Sequence, residues 1–117
     1  MHFGVGVIGA SGFIGVPYRR EIRGAPNLYR MVALGGRRRG PLEDAAVEDG
    51  AEFVTTDWHE VVAHPDVDLV VVAVPDVLHH EIALECAAHG KHVVVSTRPQ
   101  FTHTSWHFPS GSAHVYL

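Results

Sequence analysis

Val5-Gly6-Val7-Ile8-Gly9-Ala10-Ser11-Gly12-Phe13-Ile14-Gly15 is an apolar run that breaks into a glycine-rich turn. A buried strand that opens through glycines into a helix is a common receptor for a pyrophosphate. Gly9 is expected to make the tight turn, Gly12 to let the backbone approach the phosphates, and Gly15 to let the helix lie close on the sheet. Ser11, Phe13 and Ile14 fill the same loop. The helix N-terminus adds N–H groups and a partial positive charge for the anion. The spacing is GxxGxxG, a looser variant of GxGxxG, and glycines also mark ordinary strand-to-helix turns. Its position one strand into the chain, and the order of elements after it, favour dinucleotide binding over a plain turn.

That order alternates strand and helix, as in a parallel sheet covered on both faces. Strands are expected at Phe3–Ile8, Met31–Leu34, Glu52–Thr55, Leu69–Val74 and His92–Val95. Helices are expected at about Gly12–Arg23, with Pro17 restricting the first turns, and at Leu42–Glu48. A brief helix with Trp58, Val61 and Val62 starts at a capping-box-like Asp57/Glu60 pair, and Asp76 is an N-cap for Val77–His89. Right-handed crossovers then give a Rossmann-type α/β fold, a doubly wound parallel sheet in the order 3-2-1-4-5. Residues 1–95 form the single domain, and 96–117 an irregular tail. From Pro99 to Leu117 there is no Asp, Glu, Lys or Arg, and no useful periodicity. The tail is expected to pack on the domain, on its own sheet edge or on a partner, which opens a route to a homo-oligomer.

Composition narrows the class. The 117 residues are 46% hydrophobic and 19% charged, with a formal net charge of -4, which suits a soluble globular domain and not a general nucleic-acid binder. No apolar run approaches the ~20 residues that span a bilayer, so no membrane role is expected. The single cysteine, Cys86, fits a reducing cytoplasm and a buried apolar position better than a nucleophile. The ten histidines lack cysteines or acids at ligand spacing, and no metal is expected.

Seven of the nine Lys and Arg lie between Arg19 and Arg39, which points to a local anion site. Arg19, Arg20 and Arg23 are assigned to the outer face of the first helix. Gly35-Gly36-Arg37-Arg38-Arg39 follows the second strand, where a nicotinamide dinucleotide domain usually holds an acid for the ribose hydroxyls. Arg37 and Arg38 can grip a 2′-phosphate, so NADP is expected over NAD; a solvated basic turn is the alternative. Val74-Pro75-Asp76-Val77-Leu78-His79 borders the same crevice. His79 is either a ligand contact or a partner for local backbone groups, and His80 faces away.

Val7-Ile8-Gly9, the run Pro65-Asp66-Val67-Asp68-Leu69-Val70-Val71-Val72-Ala73-Val74-Pro75, Leu78-His79-His80-Glu81 and Gly90-Lys91-His92-Val93 together resemble the N-terminal domain of the glucose–fructose oxidoreductase/inositol dehydrogenase (Gfo/Idh/MocA) family. The resemblance covers about residues 3–95. It implies NAD or NADP binding here and hydride transfer to or from a sugar, cyclitol or related small molecule. Gly9, Gly12 and Gly15 match the family's phosphate loop, and Pro75 and His79 its segment beside the nicotinamide. Asp76 stands where asparagine is more usual. After its GKHV strand the family carries Glu-Lys-Pro, whose lysine helps proton transfer; this chain reads Val95-Ser96-Thr97-Arg98-Pro99. Arginine stays protonated and is a poor general acid or base. The family's second domain has no counterpart in these residues, so binding without turnover is expected of them and no residue is assigned to catalysis. Two alternatives stand beside this reading. One is a non-catalytic nucleotide-sensing or interaction protein on a Rossmann frame. The other, from Gly9–Gly15 and Arg37–Gly40, is the NADP domain of a semialdehyde or acyl-phosphate reductase.

Overall fold

The β-branched aliphatics of Phe3–Ile8 and Leu69–Val72 pair side by side and set the centre of a parallel sheet, Val5 opposite Leu69 and Ile8 opposite Val72. The computed structural model describes residues 3–12, 14–74 and 76–95, together with the strands Ser105–His107 and His114–Tyr116. The chain runs β1 (Phe3–Ile8), α1 (Gly15–Arg23), β2 (Tyr29–Gly35), α2 (Arg39–Asp49), β3 (Phe53–Thr55), α3 (Trp58–Ala63), β4 (Leu69–Val72), a 3-10 turn (Asp76–Leu78), α4 (His79–Ala88) and β5 (His92–Val95). The first five strands lie in the order β3-β2-β1-β4-β5, all parallel, as the crossover rule predicted. Two short strands, β6 (Ser105–His107) and β7 (His114–Tyr116), extend that edge, β7 parallel to β5 and β6 antiparallel to β7. Six residues of the tail are thus strand, where an irregular tail was expected.

Successive side chains in a strand point to opposite faces, and both faces here are apolar. Val5, Val7 and Val71 join Ile22, Met31, Leu34, Leu42 and Ala45 in a core under α1 and α2. Ile8, Val70 and Val72 join Val61, Val62, Val67, Ile82, Cys86 and Val93 under α3 and α4. Each fully buried Val or Ile contributes about 1.5–3 kcal/mol relative to exposure, so the two layers hold the strand ends in register. Cys86 is fully buried, and burial pushes its thiol up to about 12, which makes it a packing residue. No helix among the described residues is long and apolar enough to cross a membrane.

Four local expectations are corrected. The capping box at α3 does not close: the Asp57 carboxylate accepts from the His59 N–H at 3.0 Å, but the Glu60 carboxylate turns to the Thr55 hydroxyl instead. The α4 N-cap is Leu78, not Asp76, because a 3-10 turn intervenes. Arg19 is not on an outer face; it is 5% exposed. Helix α1 starts at Gly15 rather than Gly12 because the glycine turn takes up the residues before it, and Pro17 then falls in its first turn, where proline costs no internal hydrogen bond.

Candidate functional site

The carboxyl ends of β1, β2 and β4 converge on one crevice of about 400 Å³. Its floor is Ile8, Gly9 and Ala73, one rim is Ser11 and Gly12, the next is Gly36, Arg37 and Arg38, and the far wall is Val74 and Leu78. In an open parallel sheet this is where ligands bind, since the connections to either side diverge and leave a gap.

The glycine loop is shaped by contacts that only glycine permits. Gly9 has φ +85°, a left-handed backbone, and a Cβ there would strike the Ala73 carbonyl. At Gly15 a Cβ would overlap the Gly9 carbonyl oxygen, so α1 sits directly against the turn. Gly12 differs: an added Cβ would meet only the Gly9 oxygen, at 3.4 Å, and otherwise open space. Its bareness is of use only to something that comes from outside. The amides of Gly9 and Ala10 both donate to the Gly35 carbonyl, at 2.8 and 3.0 Å, which ties the loop to the residue that precedes Gly36-Arg37-Arg38.

The arginines divide. Arg39 pairs with Glu43 at 3.2 Å along the exposed face of α2. Arg37 and Arg38 line the crevice, and Arg38 is the N-cap of α2. No acidic residue is among the described residues that line this crevice. A bare backbone loop, two guanidiniums and an apolar far wall form a donor set that fits a phosphate-bearing ligand with an apolar flat portion, as a nicotinamide dinucleotide has.

The remaining candidates fall differently. His79 is half-buried and its Nε2 lies 2.6 Å from the Val74 carbonyl; a carbonyl only accepts, so Nε2 carries the proton. Of the two roles left open for His79, the backbone one is in place. Ile14 is 43% exposed at the N-cap of α1 and makes no side-chain cap hydrogen bond. Phe13 and Pro75 lie outside the described residues. Two lining residues escaped the sequence reading: Thr56 and Trp58, brought in by the β3–α3 connection. The Trp58 indole stacks on the His59 ring, centroids 3.7 Å apart, and His59 Nδ1 is held by Asp57 at 2.8 Å. That hydrogen bond keeps the Asp57 carboxyl below its ordinary range.

Arg19 also escaped. Its Nε donates to Asp49 at 2.6 Å, its Nη2 to Glu48 at 3.2 Å, and its Nη1 to the Ala10 carbonyl at 3.2 Å. Arg23 bonds the same two acids, which holds the Glu48 carboxyl low and raises the Arg23 guanidinium. A signal existed in the sequence. Two acids in the last turn of α2 oppose the helix dipole, an arrangement that calls for a cation nearby.

Fold and crevice together define a dinucleotide-binding Rossmann domain. Residues 3–103 match the GFO_IDH_MocA oxidoreductase family, NAD-binding Rossmann fold, and the chain belongs to that family. Inositol 2-dehydrogenase 2 of Saccharopolyspora erythraea is 34% identical over 94 residues, 80% of this chain and 27% of the relative. Among solved structures, levoglucosan dehydrogenase in complex with NADH superposes with a TM-score of 0.74 at 29% identity, over 81% of this chain and 27% of that one. Biliverdin reductase from Synechocystis sp. PCC 6803, with biliverdin and NADP+, gives 0.71 at 26% identity, over 81% and 29%. The chain spans between 13% and 27% of the length of the curated relatives it matches first. A nicotinamide dinucleotide is thus the cofactor class of this domain.

Proposed function

We propose that the domain binds NADP in preference to NAD, with the pyrophosphate over Gly9–Gly15 and the 2′-phosphate at Arg37 and Arg38. The dinucleotide would serve hydride transfer with a sugar, cyclitol or related small molecule, as the relatives' names suggest for their own reactions. The observation that carries the reading is the pair of arginines on the crevice rim, with no acid among the described residues that line it. A carboxylate in that place accepts from ribose hydroxyls and repels a phosphate; guanidiniums do the reverse. Arg38 at the N-cap of α2 adds the positive end of that helix to the same spot. These 117 residues alone bind without turnover, since Arg98 stands where the family has its lysine and arginine does not exchange a proton near neutral pH.

Titration of NADPH and NADH against the purified chain and against Arg37→Ala/Arg38→Ala tests this. One charge-assisted contact is worth roughly 1.5–3 kcal/mol, so the parent chain should favour NADPH by about tenfold or more. The double variant should bind the two cofactors equally, with its NADH affinity unchanged. Equal affinities in the parent would reduce the arginines to a solvated turn. Steady oxidation of any polyol by the parent would overturn binding without turnover.

A further inference from the structure

We propose that Arg19 is a positioning residue for the dinucleotide, setting the Ala10–Ser11 peptide so that its N–H is presented to the pyrophosphate. The inference rests on the dinucleotide reading of the crevice and concerns a group that never touches the ligand. Arg19 is nearly fully buried, and a guanidinium is withdrawn from water only where its donors find partners. Three of its partner contacts are to Glu48 and Asp49 of α2, and the Asp49 side chain is fully buried. The fourth is the Ala10 carbonyl, in the middle of the glycine loop.

That contact fixes more than one oxygen. In a planar trans peptide the C=O and the following N–H point in opposite directions. With the Ala10 carbonyl drawn toward Arg19 behind the loop, the Ser11 N–H is turned away from Arg19, and Ser11 lines the crevice. The preceding peptide is held separately, because the Ala10 N–H donates to Gly35. The orientation of this peptide is set by ψ of Ala10 and φ of Ser11, and the Arg19 hydrogen bond holds the Ala10 carbonyl in its observed direction. A flipped peptide would present a carbonyl oxygen to the phosphates, reversing attraction into repulsion. Asp49 and Glu48 hold the guanidinium, and the guanidinium holds the loop. Arg23, bonded to the same acids, completes the charge balance of the cluster.

Arg19→Met alone would strip the buried Asp49 carboxylate of its Arg19 bonds and leave it with Arg23 on one oxygen, so the informative variant is Arg19→Met/Asp49→Leu, which removes both members. Arg19→Lys is the second variant; it keeps the charge beside Asp49 but loses the fork that reaches Asp49 and Ala10 together. Circular dichroism and thermal melts establish folding, and NADPH and NADH titrations give the affinities. The Ser11 amide resonance is followed as inorganic pyrophosphate is added. Loss of one anion hydrogen bond and its preorganisation should weaken both dinucleotides by about tenfold, with the NADPH/NADH ratio unchanged because the pyrophosphate is common to both. The Ser11 amide should shift on pyrophosphate addition in the parent and stay still in the variants. A merely structural role would lower the melting temperature without that selective loss. Folded variants with parent affinity for both cofactors overturn the role of Arg19 and leave the cofactor reading intact. A parent chain that binds neither dinucleotide overturns both. Should the double variant fail to fold, Arg19→Lys decides by the same two readouts.

Discussion

Two of the strand-to-helix junctions at the crevice, from the neighbouring strands β1 and β4, solve the same problem in opposite ways. The β1–α1 junction is made of backbone: Gly9 turns in the left-handed region, Gly15 abuts the turn, and no side chain caps the helix at Ile14. The β4–α4 junction closes on itself. It passes through a 3-10 turn, and His79 reaches back to satisfy the Val74 carbonyl. The first junction keeps polar backbone facing a gap and is braced from behind by Arg19; the second presents apolar Val74 and Leu78 to the same gap. A ligand with a charged middle and flat apolar ends needs one surface of each kind.

The largest effect should come from filling the first junction. Gly15→Ala forces its methyl into the Gly9 carbonyl, where neither backbone can yield cheaply. A cost of about 3 kcal/mol is expected in the denaturant midpoint, at the upper end of overpacking, with dinucleotide binding lost. Gly12→Ala is the sharper companion. Its methyl finds open space, so stability should change by less than about 0.5 kcal/mol, while affinity falls because the methyl stands where the phosphates approach. If Gly12→Ala binds as well as the parent chain, the bare backbone at that position has no ligand to serve.

At the second junction the order of effects reverses. His79→Leu leaves the Val74 carbonyl without this donor and should cost about 1–3 kcal/mol of stability. The NADPH/NADH ratio should not move, since the arginines and the glycine loop lie on the other strands. A changed ratio would mean that the two junctions are coupled.

How much of this was legible depends on what kind of contact makes each part. β1 and β5 fall on their predicted bounds, and the order of the first five strands follows, because runs of Val and Ile between glycines carry their own signal. The glycine loop and Arg37/Arg38 were readable because local spacing alone places them at strand ends. Arg19 was not: counting polar positions on α1 puts it outside, and only the arrival of the α2 C-terminus with Glu48 and Asp49 turns its face into an interior. Trp58 and Thr56 reach the crevice through the position of the β3–α3 connection, which no periodicity in the chain encodes. Glu60 follows the capping-box spacing yet bonds Thr55, a partner on β3 that the helix pattern does not contain.

Another junction on this side of the sheet, β3–α3, supplies the smallest and most specific contrast. It is the junction with an acidic side-chain cap: Asp57 accepts from the His59 N–H and ring, and these bonds hold its carboxyl below the ordinary value of 3.8. A carboxyl depressed in the folded state contributes stability that is fully present above the unfolded value and is lost as pH falls through the folded one. Acid should therefore loosen the start of α3, where Trp58 lies, before it affects the α1 and α4 starts, which no side chain caps. Asp57→Asn keeps an acceptor for the His59 N–H but cannot titrate. In a Trp106→Phe background, where Trp58 is the sole indole, its fluorescence in the Asp57 chain should change as pH drops below about 4, and the Asn variant should stay flat over that range. Identical acid responses in the two would remove Asp57 from the set of groups that hold α3. A response confined to the Asp57 chain, with dinucleotide affinity at neutral pH the same in both, would show that the β3–α3 junction shapes the crevice wall without taking part in binding.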